Sequence, residues 1–192
     1  MTPLLSSWGK SWQRSLPASA GVGIDMDPAG QQVIGNDTAG VIARPPLLFL
    51  GALLLGFALD HVLTLPFRVP RIGTAHWISA IIAGSLIPIG IAIFAAGIRN
   101  FSGAMTPVQG TKPTRALVTT GIHAWSRNPI YLGMFLVYGG IGLAVRSPWI
   151  LILILPLAIT IRYGAVAREE GYLDRRFGDT YREYKASVRR WL

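Results

Sequence analysis

The sequence predicts an all-α integral membrane protein of about four transmembrane helices, closed by an amphipathic C-terminal helix. Three observations carry that prediction. Of the 192 residues, 51% are hydrophobic and only 14% charged, too apolar to clothe the surface of a small soluble domain. The apolar residues are gathered into long runs separated by short polar breaks. The last segment instead spaces its apolar residues at helical intervals among charges.

Residues 1–44 are rich in Gly, Ser and Ala, as in Ala20-Gly-Val-Gly-Ile-Asp-Met-Asp-Pro-Ala-Gly30, and show no sustained periodicity. This composition predicts a mobile arm, and the arm lacks the continuous apolar core of a targeting signal. The membrane domain then fills residues 45–192. Its first span runs over about 45–65, almost continuously apolar and long enough to cross a hydrocarbon core of about 30 Å. Asp60 and His61 near its far end can reach the interface. Pro66, Pro70 and Gly73 mark a turn into span two, about 76–98, with Trp77 as an interfacial anchor and Pro88 as a kink.

Residues 99–128 form a polar connection broken by Pro107 and Pro113, of a length that loops usually reserve for function or disorder. Span three covers about 129–145, with Pro129 suited to a first helical turn. Arg146, Ser147 and Pro148 turn the chain into span four, about 149–162. Both spans are at or below the short end for a full crossing, which points to tilted spans or a local thinning of the bilayer. The tail, about 164–192, reads as one amphipathic helix: Leu173, Phe177, Tyr181, Tyr184, Val188 and Trp191 recur every three or four residues.

The 18 cations fix an orientation. Four spans put the arm, the long polar loop and the tail on one side, with fifteen Lys and Arg, against Arg68, Arg71 and Arg146 on the other. Both termini are therefore expected in the cytoplasm of a multi-pass protein. The same placement accounts for the net charge of +9 through membrane flanks and lipid headgroups, so nucleic acid is not expected as a partner. The absence of cysteine excludes disulfides, thiolate nucleophiles and cysteine-bound metals, and His61, His76 and His123 lack ligand spacing. No metal site is expected.

Acidic chemistry has few sources, since Asp60 is the single acid between Asp37 and Glu169. Glu169 and Glu170 follow the end of span four, and Arg162 stands seven residues before Glu169, on the same face of an α-helix. An arginine and a glutamate so placed can hold the carboxylate and ammonium of an amino acid. From spacing alone, an ordinary cluster of membrane-flank charges is the simpler reading. The second constellation is Gly121-Ile-His-Ala-Trp-Ser-Arg-Asn-Pro-Ile-Tyr-Leu-Gly133. Gly121 and Gly133 permit close backbone approach, Arg127 and Asn128 precede a helix N-terminus that attracts anions, and Trp125 and Tyr131 offer flat walls for a purine.

Thr106-Pro-Val, Lys112-Pro-Thr-Arg-Ala-Leu-Val-Thr-Thr-Gly121, Ser126-Arg-Asn-Pro-Ile-Tyr-Leu-Gly133, Arg168-Glu-Glu-Gly-Tyr-Leu173, Phe177-Gly178, Tyr181 and Tyr184 together resemble the isoprenylcysteine carboxyl methyltransferase and phospholipid methyltransferase group. The resemblance spans about residues 45–192 and excludes the arm. It implies a cytoplasmic cofactor-binding loop that encloses S-adenosylmethionine between Leu117, Gly121, His123, Arg127, Asn128, Pro129, Tyr131, Gly133, Glu169 and Glu170, with Arg162 and Glu169 as the catalytic pair. It also turns the Arg162–Glu169 spacing from a flank cluster into a holder for the cofactor's methionine end. The acceptor implied is lipophilic or small, a carboxylate, amine or thiol entering from the membrane lipids. Two departures limit the transfer: Gly121-Ile122-His123 stands where the carboxyl methyltransferases often have Gly-Pro-Tyr, and Arg127-Asn128-Pro129 where they have Arg-His-Pro. The cofactor side of the resemblance survives them, while acceptor selectivity is expected in the spans, which carry nothing diagnostic. Membrane sterol reductases, which use NADPH, share part of this likeness, and a non-enzymatic membrane adaptor is the remaining alternative.

Overall fold

The computed structural model describes residues 44–63, 65, 74–103 and 117–192. Among these residues the regular structure is entirely helical. Helix α1 (Pro45–Val62) opens on two prolines, whose fixed φ and missing N–H suit a first turn. Helix α2 (Thr74–Gly103) carries Pro88 in its interior, and α3 (Pro129–Ala144) and α4 (Pro148–Ile161) again begin on proline. Ser147 caps α4, its hydroxyl accepting from the Ile150 amide at 2.9 Å. Residues Arg162–Val166 continue α4 as one π-helical turn into α5 (Ala167–Phe177), and α6 (Asp179–Ser187) follows.

The core is made where α1, α3 and α4 meet. Phe49, Tyr131, Tyr138, Ile150, Leu157, Ile161, Ala165 and Val166 are buried together, and Phe49 packs edge-on against Phe135 at 4.8 Å between ring centres. The packing of α2 on α3 depends on glycine. A Cβ on Gly133 would lie 2.6 Å from the Gly90 carbonyl oxygen, and one on Gly90 would lie 2.7 Å from that of Gly133. With no hydrophobic drive between helices in lipid, such close backbone approach is how they gain contact. At the end remote from Glu169, the Trp149 indole donates to the Leu63 carbonyl at 2.6 Å, and Arg146 donates to His76 Nδ1, also at 2.6 Å.

The outer faces are apolar. Leu47, Leu50, Leu54 and Leu55 on α1, Ile78, Ile81, Ile89 and Ile91 on α2, and Ile152, Leu155 and Ile159 on α4 are all exposed, too large a patch for a surface in water. Three described helices are long and apolar enough to cross a bilayer, Pro45–Val62, His76–Ser102 and Pro148–Phe177, and Pro129–Ala144 is a shorter fourth. This is an all-α membrane protein.

Three boundaries differ from the sequence expectations. The second helix does not stop near residue 98 but runs to Gly103, because Asn100 on its last turns has a partner: its side-chain amide donates to the Thr120 carbonyl at 2.8 Å. Span four does not end near 162, since the π-turn carries the helix through to Phe177. The tail expected as one helix over 164–192 is broken at Gly178, whose φ of +51° is foreign to a helix and easy for glycine. Its last residues, from Val188 on, are not helical. The expected arm, apart from Arg44, the expected turn at Pro66, Pro70 and Gly73, and residues 104–116 of the polar loop lie outside the described residues.

Candidate functional site

The loop before α3 is built on Gly121. Its φ is +60°, and a Cβ there would run into the Asn100 side chain, so glycine answers both the backbone conformation and the space. The 3₁₀ turn Gly121–Ala124 then brings His123 inward, 3% exposed, edge-on to Phe101 at 4.9 Å. Burial lowers the His123 pKa to about 4, so the imidazole is neutral at physiological pH. Its carbonyl accepts from the Tyr184 hydroxyl at 2.7 Å, which ties α6 to this turn. Burial also pushes the Tyr184 phenol up to about 12. His123 is thus packed into the scaffold, as Pro129 is at the start of α3. Leu117 is half-buried in the irregular segment leading to the turn.

The C-terminal residues fold back onto the same loop. The Arg127 amide donates to the Arg189 carbonyl at 3.0 Å. The Arg190 carbonyl accepts from the Asn128 side chain at 3.1 Å and from the Ser126 hydroxyl at 3.4 Å. Trp191 packs against Phe135 at 6.3 Å. The sequence sets Asn128 just before a helix start whose free amides attract anions. The structure turns its side chain onto the tail instead.

The charged residues converge between the start of α3 and the first turn of α5. The Tyr131 hydroxyl donates to Glu169 Oε1 at 2.8 Å. Glu170 receives a two-pronged bond from Arg190, Nε to Oε1 at 2.8 Å and Nη2 to Oε2 at 2.7 Å. Arg127 Nη1 stands 3.5 Å from Glu170 Oε1, an ion-pair distance at which no directed hydrogen bond forms. Nε and Nη1 of Arg127 are buried with no hydrogen-bond partner among the described residues. Tyr181 flanks the group: burial first, then the Glu170 carboxylate, push its phenol up, while the Arg127 guanidinium opposes them.

Of the residues singled out from sequence, Arg127, Tyr131, Glu169 and Glu170 come together here. Gly133 does not, because its bare backbone is pressed against Gly90 of α2. The Tyr131 ring is 7% exposed and belongs to the core, so its hydroxyl rather than its face reaches the cluster. Arg162 is also apart. Its guanidinium lies over the Tyr163 ring at 5.2 Å, with no hydrogen bond or ion pair to Glu169. The π-turn is the reason: its extra residue rotates everything beyond it by roughly 100°, so positions seven apart no longer share a face. Arg190 was missed, counted only among the tail's flanking cations. The signal was Phe177-Gly178-Asp179, a glycine stop followed by a helix-starting aspartate, which turns the chain back.

A family model for phospholipid methyltransferases matches residues 78–180, just over half of the chain. The chain belongs to the phospholipid methyltransferase family. Membership implies methyl transfer at a membrane, and the matched stretch includes Arg127, Tyr131, Glu169 and Glu170 while ending before Arg190. The chain is also similar to a Haemophilus influenzae protein described only as uncharacterized, 56% identical over 34 residues, which are 18% of this chain and 54% of that protein. The chain thus spans about half the length of this curated relative. No solved structure matches it.

Proposed function

We propose that this family member transfers a methyl group from S-adenosylmethionine to a lipophilic or small acceptor, with the cofactor held at the Arg127–Tyr131–Glu169 cluster. The observation that carries the reading is the buried Arg127 guanidinium, with two nitrogens lacking hydrogen-bond partners among the described residues, beside the Glu170 carboxylate of α5. A buried donor without a partner costs about 1–3 kcal/mol, more when charged, and a ligand carboxylate removes that cost. Glu169, one oxygen held by Tyr131, supplies the complementary charge for an ammonium. The donor set therefore fits the zwitterionic methionine end of the cofactor, with Arg127 in the part that the sequence spacing gave to Arg162.

When bound, S-adenosylmethionine would supply a methyl group already activated on a sulfonium, ready for an acceptor's lone pair. The protein's share is to bind, align and exclude water. Tyr131 fixes the rotamer of Glu169, and the loop laced to the C-terminal residues covers the cluster. A carboxylate or thiolate acceptor needs no base, whereas an amine must first lose its proton. Fifteen of the 18 Lys and Arg on one side support a cytoplasmic site and cytoplasmic termini, with four crossings including the short α3. Membrane lipids supply the route for a lipophilic acceptor.

Calorimetry with the purified protein tests the cofactor. Binding is expected in the micromolar range, about −8 kcal/mol. No heat and no thermal stabilisation at millimolar S-adenosylmethionine removes the proposal, and saturable binding of NADPH replaces it with a reductase. Mass spectrometry of lipid extracts after incubation with methyl-labelled cofactor then identifies the acceptor.

A further inference from the structure

Glu170 stands between two arginines and is shared unequally. Arg190 takes both of its oxygens at 2.8 and 2.7 Å, whereas Arg127 reaches only 3.5 Å. The Arg127 and Glu170 side chains are 9% and 11% exposed, and Arg190 is 29% exposed. Arg190 thus takes up both Glu170 oxygens in a largely dehydrated place, and the buried nitrogens left without a hydrogen-bond partner among the described residues belong to Arg127. We infer that Arg190 is a positioning residue: by occupying Glu170 it keeps the Arg127 guanidinium open for the anionic end of the bound cofactor. The inference rests on the cofactor reading above and assigns Glu170 a holding role in place of direct cofactor contact.

The backbone explains how Arg190 can do this reliably. Its position is set by main-chain carbonyls: Arg189 accepts from the Arg127 amide, and Arg190 accepts from Asn128 and Ser126. Trp191 anchors the next residue on Phe135. None of these contacts uses the Arg190 guanidinium, so replacing that side chain leaves the tail seated. What changes is Glu170. Freed of its fork and already at ion-pair distance from Arg127, it closes on Arg127 and blocks the group that the cofactor needs.

This makes a second-site rescue the decisive experiment. S-adenosylmethionine affinity is measured by calorimetry for the parent, Arg190→Gln, Glu170→Gln and the double variant, with the melting temperature of each without cofactor. Arg190→Gln is expected to weaken binding by about tenfold or more, the size of a charge-assisted contact. The double variant, in which no carboxylate remains to capture Arg127, is expected to return to within about threefold of the parent. A role in stability alone shifts the melting temperature of Arg190→Gln with no rescue of affinity. The inference is overturned if Arg190→Gln binds like the parent, or if the double variant is as weak as Arg190→Gln, which would make Glu170 a direct ligand. A parent that does not bind S-adenosylmethionine at all fails one step earlier, at the proposed function, and takes the inference with it.

Discussion

Glu169 is the residue whose replacement separates a ligand carboxylate from a structural one. In Glu169→Gln the amide oxygen still accepts the Tyr131 hydroxyl now bonded at 2.8 Å, so that buried phenol keeps a partner and folding is expected to change by less than about 0.5 kcal/mol. The negative charge is lost. A charge-assisted contact to an ammonium in a dehydrated site contributes about 1.5–3 kcal/mol, so S-adenosylmethionine should bind roughly tenfold to a hundredfold more weakly. Glu169→Ala is a different perturbation. It orphans the Tyr131 hydroxyl on a residue only 7% exposed, which should cost about 1–3 kcal/mol of stability besides the lost affinity. Calorimetry reads the binding and thermal melting in detergent reads the stability, with exposed Glu183→Gln as the control that alters neither. If Glu169→Gln keeps the affinity of Glu183→Gln, the site is misplaced even in an active methyltransferase.

Three further outcomes follow from the packing and the charges. His123 has a folded pKa of about 4 against 6.5 free, so the unfolded chain binds the extra proton; its stabilising contribution is complete above pH 6.5 and is lost as pH falls towards 4, by about 3 kcal/mol. His123→Gln should therefore show a smaller drop in melting temperature between pH 7 and pH 4.5 than the parent, and equal drops would contradict the assignment. Gly133→Ala should destabilise by about 1–3 kcal/mol because its Cβ meets the Gly90 carbonyl at 2.6 Å, whereas Gly84→Ala, which meets nothing within 4 Å, should be neutral or gain up to about 1 kcal/mol; similar melting temperatures would refute the α2–α3 packing. Reporters fused before Met1 and after Leu192 should both read as cytoplasmic, and opposite readings would mean an odd number of crossings.

What the sequence made legible was whatever depends on long averages. Apolar runs marked α1, α2, α3 and α4 because lipid selects composition over some twenty residues at a time, and proline at the starts of α1, α3 and α4 set their first turns. Arg127, Tyr131, Glu169 and Glu170 were found through motif order, and the fold does bring them together. Residues decided by a single backbone event were not legible. The apolar spacing of Tyr181, Tyr184, Val188 and Trp191 continues through Gly178 because these residues are buried or half-buried after the chain has turned, Tyr184 bonded to the 3₁₀ turn and Trp191 packed against Phe135. Periodicity reports which residues are buried and is silent about the element that buries them.

One backbone event separates Arg162 from the cluster to which Arg127 belongs. Counting seven residues from Arg162 to Glu169 assumes 3.6 residues per turn throughout, and one π-turn within the interval defeats the count. Arg127 lies 42 positions from Glu169 in sequence, so no spacing rule connects them; α3 returning beside α4 and α5 does, and the Tyr131–Glu169 bond fixes that approach. The π-turn also has a consequence of its own for the site. It rotates the Glu169–Glu170 pair relative to the apolar face of α4, so that Ile161 and Val166 stay in the core while both carboxylates face α3 and the C-terminal residues. A regular helix over 148–177 would have to give up one of those two alignments.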